Sequence, residues 1–121
     1  MANDTAEELQ KALRPIISLI SKSEKAQQKL APGTWQHTML QQNLQALYTA
    51  VALMNQESPD TDPVTRDDLQ EALRALASMV HKAEKAQAKF APGTSHHSLQ
   101  HNRIKALRAA QERIKMQLEK S

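Results

Sequence analysis

Leu30-Ala31-Pro32-Gly33-Thr34 returns 60 residues later as Phe90-Ala91-Pro92-Gly93-Thr94. The echo spreads outward at the same offset without a gap. Leu9-Gln10, Ala12-Leu13-Arg14, Glu24-Lys25-Ala26-Gln27, Lys29, His37, Ala46-Leu47 and Ala50 all recur. Each stretch reads as a helix stop, a chain reversal and a helix start. Proline cannot continue a helix, glycine supplies the free dihedrals of a tight turn, and threonine caps the helix that follows. Two helices joined so briefly lie antiparallel, as an αα-hairpin. The chain therefore reads as two tandem αα-hairpin repeats, over 5–56 and 65–120, around a linker at 56–64 that contains Pro59 and Pro63.

Periodicity on either side of the turns supports this. Leu9, Leu13, Ile16, Ile20, Ser23, Gln27 and Leu30 step by fours and threes, as do Leu69, Leu73, Leu76, Val80, Ala83, Gln87 and Phe90. At about 100° per residue such a series stays on one face of a helix. The second and fourth helices follow Thr34 and Thr94, with stripes through Leu40, Leu44, Leu47, Val51 and Met54, and through Leu99, Ile104, Leu107, Ala110, Ile114 and Leu118. Start signals for the first and third helices stand at Thr5-Ala6-Glu7-Glu8 and Thr65-Arg66-Asp67-Asp68, each with a capping hydroxyl and an acid three residues on. Pro15 predicts a kink in the first helix, which the second copy, with Ala75, lacks. The expected fold is all-α: an up-down-up-down four-helix bundle of 1–121 as a single domain, with both APGT turns at one end.

Composition narrows the function classes. The 121 residues hold no cysteine, two glycines and one each of Trp, Tyr and Phe. That leaves no disulfide framework and no thiol chemistry, and suits a reducing compartment. No apolar run approaches the roughly 20 residues of a membrane crossing, and the start at Asn3, Asp4, Glu7 and Glu8 shows no signal-peptide pattern. A cytoplasmic location without membrane association is expected. The net charge of +3 comes from the second half: residues 1–60 carry five basic and six acidic side chains, residues 61–121 eleven and seven.

No nucleophile–base pairing, paired inward acids or phosphate-cradling glycine loop is visible, so the expectation is a non-enzymatic interaction module without a cofactor. Its partner would be another protein or a second copy. Tyr48, Val51, Ala52 and Leu53 are the candidate partner surface, because their counterparts Arg108, Gln111, Glu112 and Arg113 are polar. Inward positions near the turns carry polar residues instead of apolar ones: Gln27, Gln36, Asn43, Gln87, His96, Gln100 and Arg103. Buried polar groups must be paired or wetted. These seven are the candidates for a polar pocket, or for a network in which Gln27 and Gln87 bond the turn backbone and Arg103 pairs with Glu24 or Glu84.

The alternative is an anion- or nucleic-acid-binding module. Lys29, Thr34, Lys89 and Thr94 place cations and helix N-termini at the turn end, and the fourth helix adds a basic side. His97 and His101 are four apart and could share an ion, yet no third ligand stands nearby, so no metal site is expected.

Overall fold

The computed structural model describes the backbone of residues 2–54 and 65–120, and the side chains of 11–54 and 65–120. The linker at 56–64 lies outside the described residues. Four helices follow in order: α1 (Ala2–Gln28), α2 (Trp35–Met54), α3 (Arg66–Ala88) and α4 (Ser95–Lys120). Each packs on its chain neighbour and α4 closes the ring against α1, which makes a four-helix bundle. Among the described residues α2 and α4 also touch across the diagonal, while α1 and α3 do not. Small side chains at the centre explain that difference: Ala50 and Ala110 are fully buried on the inner faces of α2 and α4 and let those backbones approach.

The core is one cluster in which positions 60 apart are buried together: Ile16 with Leu76, Leu47 with Leu107, Ala46 with Ala106, and Met54 with Ile114. The turns match bond for bond. The amides of Leu30 and Phe90 donate to the carbonyls of Gln27 and Gln87 at 3.0 Å and tighten the last helical turn. Gly33 and Gly93 each take a φ of 91°. The hydroxyls of Thr34 and Thr94 accept from the amides of His37 and His97 at 3.3 and 3.2 Å, capping α2 and α4. They also donate back to the carbonyls of Ala31 and Ala91 at 2.9 and 2.8 Å, which ties each cap to its turn.

At the other end of the bundle the two halves diverge. Thr65 caps α3 through a capping box with Asp68, as its sequence predicts. The corresponding reading at Thr5 does not hold, because α1 is already helical from Ala2. Nothing in the first residues forbids this, since Asp and Glu suit the opening turns of a helix. α1 continues as one helix through Pro15, where the sequence predicts a kink and not a stop. The lost bond falls to the carbonyl of Lys11, an exposed residue, on the side where water can replace it.

Both glycines can be tested for what they contribute. No atom lies within 4 Å of a Cβ added at either, so Gly33→Ala and Gly93→Ala incur only the conformational penalty of positive φ. Each is expected to destabilise the bundle by about 1–2 kcal/mol in denaturant titration, and wild-type stability would show that the turn conformation is not required. Leu47→Ala, at a fully buried position, should cost more, about 2–5 kcal/mol.

Candidate functional site

The polar residues near the turns do not assemble as a single pocket. Gln36 and His96 fall on the inner side of their helical wheels, yet both are exposed. They stand in the first turns of α2 and α4, where the end of the bundle opens to water. His96 folds over Phe90, with ring centroids 5.0 Å apart and planes 22° from parallel. The Gln27 side chain does not bond the turn. Its side-chain amide donates instead to Oε1 of Gln41 at 2.6 Å, linking α1 to α2. Gln87 and Gln100 are half-buried and make no side-chain hydrogen bond among the described residues. Asn43 lines a different cavity, between α2 and α3.

Arg103 is half-buried and pairs with neither Glu24 nor Glu84. Burial pulls its guanidinium below the usual arginine range. Both glutamates are engaged elsewhere, by the same pair of positions in each half. The phenol of Tyr48 donates to Glu24, and Arg108 Nη2 donates to Glu84 at 2.8 Å. One carboxylate position thus ties α1 to α2 and α3 to α4, through different donors.

The turn-end candidates are similarly occupied. The hydroxyls of Thr34 and Thr94 are spent on the caps and turns, and Lys29 and Lys89 are exposed. His97 is half-buried and His101 exposed, and no group of three or more His, Cys, Asp or Glu able to hold a metal occurs among the described residues. No described helix is long and apolar enough to cross a membrane.

The proposed partner strip is also divided. Val51 and Leu53 pack against the core, and Ala52 is half-buried. Tyr48 is 45 % exposed but has its hydroxyl held by Glu24. A strip chosen for apolar content follows both edges of the helix inward, which is why it does not form one outer patch.

The feature that does emerge lies on the outer side of α2. Trp35–Met54 contains no Asp, Glu, Lys or Arg at all. Thr38, Gln41, Gln42 and Gln45 on this face are exposed, and Trp35 at its start is 70 % exposed. Beside it a cleft of about 700 Å³ separates α2 from α3. Gln42, Asn43 and Thr49 line one wall, with Asp68, Glu71 and Arg74 on the other. The signal was present in the sequence as a charge-free run, and a search for apolar residues passes over it. The other three helices each carry both acidic and basic side chains.

Comparison with models of known protein families, with curated proteins and with solved structures gave no match.

Tyr48 provides a check on the α1–α2 tie. The hydrogen bond to Glu24 raises its phenol above the ordinary value of about 10, with burial and the glutamate charge adding to it. The protonated phenol therefore stabilises the fold fully below pH about 10, and that contribution is lost as pH rises through the higher folded value. Tyr48 is the sole tyrosine, so tyrosinate absorbance reports it alone. Its midpoint should lie above that of free tyrosine and fall back in Glu24→Ala; an unchanged midpoint would mean the tie is not populated.

Proposed function

We propose that this chain is a non-enzymatic interaction module, and that its working surface is the outer face of α2. The single observation behind this is a helix of 20 residues that is exposed along its outer face yet has no Asp, Glu, Lys or Arg, in a chain that is 24% charged. Exposed helix faces ordinarily carry charges. Protein interface cores are depleted in Lys, Glu and Asp and enriched in Trp, Tyr and Met. Trp35 and Tyr48 border this face and Met39 reaches the cleft beside it. Side-chain amides and hydroxyls there can bond a partner without the cost of stripping water from ions. Such a role requires no cofactor, and a cysteine-free chain suits the cytoplasm.

A photo-activated cross-linking residue at Gln45, compared with one at Lys105 on α4, tests the surface in cells making the intact chain. Polypeptide adducts of discrete mass are expected from Gln45 and not from Lys105. Equal labelling at both, or none at Gln45, would overturn the proposal.

A second reading has its own observation. Arg108 and Lys115 on α4 sit beside Glu84 and Glu112, at 2.8 and 3.8 Å. Lys11, Arg14, Lys22 and Lys25 on α1, with Lys29 just past its end, are exposed and form no ion pair among the described residues. That row could follow the phosphates of a nucleic acid. It predicts binding that weakens steeply from low to moderate salt, and absent or salt-independent binding removes it.

A further inference from the structure

Resting on the α2 reading, we infer that the partner of this face is a second copy of the same chain. Its α2 packs antiparallel across a twofold axis, with Trp35 against the second copy's Ala52, Thr38 against its Thr49, and Gln42 against its Gln45. Three features of the molecule carry this arrangement.

The first is spacing. Trp35, Thr38, Gln42, Gln45, Thr49 and Ala52 step by three, four, three, four and three. A seam between two helices needs this average of about 3.5 residues. The order along the stripe is large, Thr, Gln, Gln, Thr, small. Reversed on itself, it sets Thr opposite Thr and Gln opposite Gln, and places the indole over an alanine. The side chains suit the contact. Thr38 and Thr49 donate their hydroxyls to the carbonyls of Thr34 and Gln45 in their own helix, at 3.2 and 2.9 Å, which leaves compact methyl-bearing surfaces. The amides of Gln42 and Gln45 have no side-chain partner among the described residues and can pair reciprocally across the axis.

The second feature is charge. The chain has a net charge of +3 and a pI near 9.3. An isologous contact sets each surface against itself. The outer row of α1 would bring lysine to lysine, whereas α2 brings no charge at all. The flanking helix also favours the antiparallel sense. Along its α2 edge, α3 carries Asp68, Glu71 and Arg74 towards the linker end, which leaves that end net acidic, and Lys82 towards the turn. Lys82 reaches Sδ of Met39 on α2 at 3.6 Å, which fixes it at that edge. The twofold axis lays α3 beside the second copy's α3 in reverse, so the acidic end of each meets the basic end of the other.

The third feature is size. A 20-residue helix is about 30 Å long, and with the near edges of its two neighbours the face is roughly 20–25 Å wide. That gives roughly 600–750 Å² per copy, close to the ~800 Å² per partner of a stable interface. It is also near a tenth of the 8308 Å² surface, the usual share for a small protein.

The absence of cysteine makes a clean test available. Thr38→Cys and Thr49→Cys are prepared separately, mixed, and oxidised gently, with light scattering on the unmodified protein. The expected result is a dimer of the 13.5 kDa chain, and a disulfide that joins Thr38→Cys to Thr49→Cys far more than either variant to itself. Gln45→Lys, which places one lysine on each side of the axis against Gln42 of the second copy and so brings two buried cations into the contact, should keep its helicity and weaken dimerisation by roughly tenfold or more. A monomer at every concentration, or disulfides joining like variants as in a parallel pair, would overturn the inference. If the protein is monomeric while Gln45 cross-links to some other polypeptide, the second copy is excluded and the α2 surface stands.

Discussion

The bundle depends on a backbone conformation held twice, at Gly33 and Gly93, where φ is 91°. Only glycine reaches it without penalty, and the proline before it ends the preceding helix, so the chain reverses within a few residues. Everything downstream follows from how short that reversal is. With the threonine cap bonded both to the turn carbonyl and to the new helix, α2 must return along α1, and α4 along α3. The apolar stripes then face one another, and Leu47 and Leu107 meet in one core. The short turn keeps the loop-closure cost of each hairpin small.

On this frame the two halves carry different chemistry. The glutamate at 24 or 84 receives a phenol in the first half and a guanidinium in the second. Arg113 donates to the carbonyl of Leu53 at 3.0 Å, and these two residues occupy equivalent places 60 apart. The arginine thereby satisfies a carbonyl in the last turn of α2, where no basic residue of that helix can do so. In this respect the charged fourth helix supports the uncharged second one. Identical turns and core layers coexist with outer surfaces free to differ, because a core position answers to its neighbours while an outer position answers only to water and partners.

Much of the fold is legible in the sequence. A repeated turn with one helix-stopping and one reversing residue, flanked by stripes of period 3.6, leaves little choice of architecture. The failures have particular causes. Wheel position placed Gln36 and His96 inside, but a wheel carries no height, and at the end of a bundle the inner side is wet. Arg103 lies at the level of Glu24 and Glu84 in the sequence pattern, and those carboxylates have closer donors in Tyr48 and Arg108. Thr5 offered a good cap, yet a cap does not prevent a permissive segment before it from joining the helix. The α2 face does not stand out as an apolar strip. Its mark is the lack of charge, and its centre is glutamine and threonine.

We propose the uncharged face of α2 as the place where this protein meets its partner. Trp35 begins that face, is 70 % exposed, and is the sole tryptophan, so its fluorescence reports directly on whether the face is covered. Emission recorded while the native protein is diluted through the micromolar range is the most direct measurement. Self-association on α2 predicts blue-shifted emission at high concentration, moving to the red of a solvated indole as the complex dissociates. A red, concentration-independent spectrum, in a sample that light scattering shows to be associating, would place the contact elsewhere and contradict the account.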